Sequence, residues 1–166
     1  MQSTGCNSIW SLDIPNPKEV NASVSYYCQV GNVGNPRLRV TYRLLQQICQ
    51  EPAFNILRTK EQLGYVVAWS EWAFTESIGL RILVQSEKDP KYVESRIEAF
   101  LVHMRGTIES MSAELFEEQK QGLIGKWNEK LKNLNEESVR FWNHIESGYL
   151  DFSRRTSCSS FSVCNG

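Results

Sequence analysis

Val20-Asn21-Ala22-Ser23-Val24-Ser25-Tyr26-Tyr27-Cys28-Gln29-Val30 is the stretch on which the fold turns. Val20, Ala22, Val24, Tyr26, Cys28 and Val30 alternate with Asn21, Ser23, Ser25, Tyr27 and Gln29. A period of two sends successive side chains to opposite faces, so the stretch is a strand of a sheet with one buried side. Before it, residues 1–19 are polar and punctuated by Pro15 and Pro17, which marks a lead-in segment. After it, Gly31 to Pro36 is turn-rich. Leu38, Thr41, Leu45, Ile48 and Cys49 then recur at three- and four-residue steps, the inner stripe of a helix facing the sheet. Pro52 is expected to interrupt or restart that helix.

Two more strands follow. Tyr65-Val66-Val67-Ala68-Trp69 is rich in β-formers, and Ile78, Leu80, Ile82 and Val84 alternate with Gly79, Arg81, Leu83 and Gln85. Ser70 to Ser77 has the length of a long hairpin loop, which makes the pair antiparallel. Asp89-Pro90 supplies an N-cap and a first helical residue, ahead of a stripe of Val93, Ile97, Phe100, Leu101, Met104 and Ile108. Ser112 caps a second helix carrying Phe116, Leu123, Trp127, Leu131 and Leu134. Asn135-Glu136-Glu137 opens a third, with Val139, Trp142, Ile145 and Tyr149. Strand, helix, two strands and three helices define an α+β fold, a mostly antiparallel sheet covered on one face by helices. The domain runs over 20–152, and the serine-rich run 153–166 reads as an unstructured tail because nothing in its period would bury a face.

With 166 residues the chain has the size of one domain. Eighteen Lys and Arg against nineteen Asp and Glu leave a net charge of −1, so no global field draws it to nucleic acid. No apolar run approaches the roughly 20 residues of a membrane span, and no membrane partner is expected. The N-terminus lacks a basic, then apolar, leader, which implies a cytoplasmic setting, with peroxisome or mitochondrion compatible. Five scattered cysteines (Cys6, Cys28, Cys49, Cys158, Cys164) without a C-x-x-C pair read mostly as packing thiols. Asn21-Ala22-Ser23 matches a glycosylation sequon, but so short a pattern arises by chance.

Local motifs provide no self-sufficient active site. The two histidines, His103 and His144, are far apart in sequence, and neither H-x-x-E-H nor H-x-x-E-H's mirror, both of which aim two imidazoles at one zinc, is present. His144-Ile145-Glu146 is half of a zinc-deaminase signature whose cysteine half is missing. His103, beside an apolar stripe, reads as a half-buried structural histidine. Glycine-rich phosphate loops and the G-x-S-x-G elbow are absent too. What remains is Phe54-Asn55-Ile56-Leu57-Arg58-Thr59-Lys60-Glu61-Gln62-Leu63-Gly64-Tyr65, a charge-mixed segment between helix and strand. Gly64 allows a close turn that aims Tyr65 from the strand start. Arg58 and Tyr65 are both donors, able to hold a carbonyl or an oxyanion as charge develops on it. On the residues alone a solvated helix end, with Lys60 and Glu61 facing water, accounts for the same pattern.

The same segment closely resembles one in the C-terminal half of the insulysin and pitrilysin family of zinc metalloproteases, the inverzincins. Val24-Ser25-Tyr26-Tyr27-Cys28-Gln29, Gly79 to Lys88 and Tyr92 to Leu101 resemble the family strand, hairpin partner and following helix, and the likeness runs from Trp10 to about Phe152. It implies a fourth domain, one of four homologous α+β domains that clasp a chamber, with zinc held in the first domain and none in this chain. It implies further that Arg58 and Tyr65 contact peptide substrate and the tetrahedral intermediate in trans, and that the partners are the remaining domains of such a protease or an active homologue. A non-enzymatic subunit docking on that homologue is the alternative. Two departures stand out: the zinc ligands and catalytic Glu are absent, and the tail does not resemble the family's continuing helix and final strand. A sheet without its last strand leaves an open edge, and the chain alone is expected to be marginal or prone to associate.

Overall fold

The computed structural model describes residues 7–74, 76–146 and 152. In chain order these form β1 (Ala22–Asn32), α1 (Pro36–Ala53), a π-helical stretch (Phe54–Lys60), β2 (Val66–Ala73), β3 (Ser77–Ser86), α2 (Pro90–Glu109), α3 (Ala113–Asn128) and α4 (Leu134–Glu146). The strand last in sequence is central in space, with order β1-β3-β2 and both pairings antiparallel. The fold class is therefore as read: an antiparallel sheet with helices on one face.

Alternation decides which face is covered. In β3, Ile78, Leu80, Ile82 and Val84 are buried, while Arg81 and Leu83 on the opposite side are only half-buried. Val24 and Tyr26 of β1 lie opposite Val84 and Ile82, and Val67 and Trp69 of β2 lie opposite the same two residues from the other side. These join Tyr42, Cys49 and Ala53 of α1 and Val93, Ile97, Phe100 and Met104 of α2 in one core. Trp69 and Phe100 meet edge to face with centroids 6.0 Å apart, the arrangement aromatic quadrupoles favour.

The bare face carries its own small cluster. Trp72 and Phe74 stack at 5.3 Å, both meet the Tyr27 ring edge-on, and the Arg81 guanidinium lies 4.5 Å from the Trp72 ring centroid. Gly79 sits beneath Tyr27, where a Cβ would approach the ring to 2.3 Å. This cluster explains why the hairpin loop is shorter than expected. Both strands continue through the expected loop, to Ala73 and from Ser77, and Phe74 N–H donates to the Ser77 carbonyl at 2.7 Å.

Other expectations need correction. Pro52 does not break α1, which continues to Ala53 and passes directly into the π-helical stretch. The proline lacks an N–H for the i→i−4 ladder, and the backbone widens just beyond it rather than ending. The inner face of α1 includes Arg39 and Tyr42 as well as apolar residues. Arg39 donates from Nη1 to the Val33 carbonyl at 2.7 Å, and the Tyr42 hydroxyl donates to the Gly79 carbonyl at 3.2 Å. In α2 the N-cap is Asp89, whose carboxylate accepts from the backbone of Lys91 and Tyr92, and the buried stripe is Val93, Ile97, Phe100 and Met104. His103 is exposed rather than half-buried, because that stripe leaves it turned outward.

Ser112 caps α3 as expected. The third helix starts one residue earlier than read, at Leu134, because Asn133 accepts from Glu136 N–H and Glu136 reaches back to Lys132 N–H. Of the α3 stripe only Leu123 is buried, and α4 buries none of its residues. Cys49 packs in the core and its thiol pKa is pushed up to about 11 by burial, whereas Cys28 is exposed. Cys6, Cys158, Cys164, Tyr149 and the run 153–166 lie outside the described residues.

Candidate functional site

The segment singled out by its density of charged residues is helical to Lys60, not an irregular link between helix and strand. Its π-type turns close with Glu61 N–H donating to the Ile56 carbonyl at 2.9 Å. Gln62 then takes a left-handed backbone, φ +50°, an uncommon conformation for a residue with a Cβ and one that neighbouring contacts must hold. Leu63 plugs into the core, its N–H donating to the Leu57 carbonyl at 3.0 Å and its carbonyl accepting from the buried Ser86 hydroxyl. Gly64 lies against β3 so closely that a Cβ would come within 1.8 Å of the Gln85 carbonyl oxygen. Only glycine fits such an approach. The chain leaves this crossing with Tyr65 projecting into solvent, 84% exposed.

These turns bring the two sequence-nominated residues together. The Arg58 guanidinium carbon lies 5.3 Å from the Tyr65 ring centroid and 4.8 Å from that of Phe54, so the cation is flanked by two aromatic rings. Such placement holds a long, flexible side chain by cation–π attraction while its N–H groups stay free to face an acceptor. Phe54 belongs to the same stretch, and the sequence alone gives it no part. Its spacing of four from Arg58 on a helix was the signal available.

Glu61 does not face water. Its carboxylate takes both Arg96 Nε and Arg96 Nη2 at 2.7 Å, a two-pronged pair across from α2. Those hydrogen bonds hold the Glu61 carboxyl below its ordinary pKa against the opposing effect of burial. The Glu61 carbonyl accepts from Lys88 Nζ at 3.1 Å, and that ammonium sits 5.6 Å from the Tyr92 ring centroid. Lys60 is exposed, as the solvated reading has it. Beside Tyr65, Asn21, Gln62, Gln85 and Lys88 line a polar recess at the end of the sheet.

Among the described residues the side chains do not suit a zinc ion. A zinc site of the inverzincin kind needs two imidazoles one helical turn apart and a carboxylate, and the histidines here fall on separate helices, α2 and α4. Among the described residues no three His, Cys, Asp or Glu converge. What Arg58 and Tyr65 present instead is two hydrogen-bond donors side by side.

Comparison with known proteins shows the family of the chain. Residues 44–142 match the family model for the PQQ synthase PqqF-like C-terminal lobe domain 4. The chain belongs to the insulysin and pitrilysin family of proteases, to its C-terminal part. It is 45% identical over 111 residues to human insulin-degrading enzyme, a match covering 67% of this chain and 11% of that protein. It is 35% identical over 142 residues to the A-factor-processing enzyme of Saccharomyces cerevisiae, covering 86% of this chain and 14% of that protein. An Arabidopsis thaliana relative named insulin-degrading enzyme-like 1, peroxisomal, is 32% identical, with 91% of this chain and 16% of that protein covered. The crystal structure of pitrilysin superimposes with a TM-score of 0.72 at 24% identity, over 86% of this chain and 15% of that one, a likeness of fold. The chain thus spans only about a tenth to a sixth of the length of these relatives. No described helix is long and apolar enough to cross a membrane.

Proposed function

We propose that this chain is a wall of the substrate chamber in an insulysin-like zinc metalloendopeptidase, catalytically silent by itself. Arg58 and Tyr65 contact the peptide and steady the negative charge of the tetrahedral intermediate, opposite a zinc site supplied by other domains. The observation that carries this reading is the Arg58 guanidinium held between Phe54 and an outward-facing Tyr65, since such mounting keeps two donors in place for a ligand. The setting is cytoplasmic or peroxisomal, the second suggested by the name of the Arabidopsis relative.

The test is reconstitution. The 166-residue chain is mixed with a zinc-bearing catalytic half from a relative, and cleavage of a quenched fluorescent peptide is followed. The expected result is no turnover from the chain alone, turnover from the mixture, and a lower kcat when the chain carries Tyr65→Phe. Turnover by the chain alone, or kinetics indifferent to Tyr65, overturns the proposal. A second reading, a non-enzymatic subunit that docks on an active homologue, is favoured by α4, where Leu134 is 80% and Trp142 62% exposed. It is supported if the chain co-purifies with a homologue bearing H-x-x-E-H without changing its turnover.

A further inference from the structure

Between Arg58 and Tyr65 lie six residues that must hold two side chains in register, one of them in a left-handed backbone. Most of their fixings are local to the segment or to the end of β3: Leu63 in the core, Gly64 against Gln85, and Ser86 on the Leu63 carbonyl. Glu61 differs, because its carboxylate is tied across 35 positions of sequence to α2. Glu61 follows the π-helical stretch and precedes Gln62, at the point where the backbone changes hand. A planar guanidinium gripping both carboxylate oxygens fixes direction as well as distance, which a single ammonium contact does not. Lys88 adds a contact to the Glu61 carbonyl, so side chain and backbone of this one residue are both held.

We infer that Arg96 is a positioning residue: from α2, and through the carboxylate of Glu61, it sets the Arg58 guanidinium against the Tyr65 ring. It touches neither Arg58 nor substrate. The consequence for function rests on the reading of Arg58 and Tyr65 as substrate contacts, whereas the positioning itself is a property of this chain. Two measurements separate them.

The first is proton NMR of the full 166-residue chain. The Arg58 guanidinium lies over two aromatic rings, so its neighbouring side-chain protons are expected to be shifted upfield by ring currents. Arg96→Ala is expected to remove roughly half or more of that shift, because the loop relaxes once the fork is lost, and Arg96→Lys to fall between, keeping charge without the fork. Methyl signals of Ile82 and Val84 report whether the core stays folded. If Arg96→Ala unfolds the core, Arg96→Lys and Glu61→Gln carry the same reading with milder changes. An Arg58 shift unchanged in the folded variants overturns the inference.

The second is kinetic, in the reconstituted protease. Arg96→Ala is expected to lower kcat about ten- to a hundredfold through misplacement of the pair, with KM changed by less. In a Tyr65→Phe, Arg58→Ala background the same substitution is expected to cost no more than about twofold, since its effect passes through residues already removed. Full additivity overturns the inference. If Tyr65→Phe alone leaves kcat unchanged, the proposed function fails, and the NMR measurement still decides the positioning.

Discussion

Gly64 and Gln85 are in backbone contact where β2 begins and β3 ends, with no room between them for a methyl group: a Cβ on Gly64 would lie 1.8 Å from the Gln85 carbonyl oxygen. The obstruction is main chain, which cannot rotate away as a side chain can. Gly64→Ala is therefore expected to destabilise the chain by about 1–3 kcal/mol as the crossing is forced apart. Urea unfolding checks this, and an unchanged midpoint would show that the crossing yields easily. Because Tyr65 is the next residue, the same variant is expected to lower turnover in the reconstituted protease.

Tyr65→Phe removes the phenol donor and keeps the ring that faces Arg58. In the reconstituted protease kcat is expected to fall about 10- to 1,000-fold, reaching at its upper end the loss of about 100- to 1,000-fold typical of one oxyanion donor, with the unfolding midpoint of the isolated chain nearly unchanged. Steady-state kinetics on both proteins distinguish this from a packing role, which would move stability instead.

The Glu61 pair gives a pH dependence with a definite sign. Its folded pKa is lowered, chiefly by the hydrogen bonds from Arg96, so its contribution is fully present above the ordinary carboxylate range and is lost as pH falls through the folded value. The stability gap between the natural chain and Glu61→Gln is expected to be constant near neutrality and to close below about pH 4.3, the ordinary Glu value. Urea midpoints measured across that range test it, and a gap independent of pH would count against the pair.

In the core, Phe100→Ala deletes the partner of Trp69 from a site that is nearly solvent-free. The expected cost is about 3–5 kcal/mol, transfer and cavity together. Thermal or urea denaturation measures it, and a loss below about 1 kcal/mol would mean that the site collapses around the gap.

On α4 the Phe152 ring reaches Phe141 and His144, each at 5.9 Å between centroids, while Val139, Trp142 and Ile145 stay exposed. Such a patch favours association. Sedimentation of the chain is expected to show self-association that weakens in Trp142→Gln, Ile145→Gln. A strictly monomeric natural chain would contradict this.

Local signals in the sequence carried the fold. The alternation from Ala22 to Tyr26 and the Asp89-Pro90 cap are properties of neighbours in the chain, and both reappear in β1 and α2, although Cys28, expected on the buried face, is exposed. What was not legible depends on partners far along the sequence. Ser70 and Glu71 look like loop residues until Arg43 of α1 reaches Glu71 at 3.0 Å and Trp72 meets Tyr27. Arg39 and Tyr42 look solvent-facing until the carbonyls of Val33 and Gly79 receive their donors. At the candidate site the spacing of Arg58 and Tyr65 was visible, and so was Gly64. The part of Glu61 was not, because Arg96 lies on another helix.

The central place of β3 also orders events during synthesis. β1 leaves the ribosome first of the three strands, yet its paired residues wait for partners made 45 to 64 positions later, Asn32 for Ser77 and Ala22 for Ser86. At about 5–20 residues per second that is a delay of several seconds. Over that interval Val24, Tyr26 and their neighbours are an unpaired strand, and the β2–β3 hairpin, whose two arms are made almost together, can close as soon as it emerges. The strand whose pattern is plainest in the sequence is thus the one whose pairing is completed by the last turn of the sheet, and it is the stretch of this chain that a nascent-chain chaperone would meet bare.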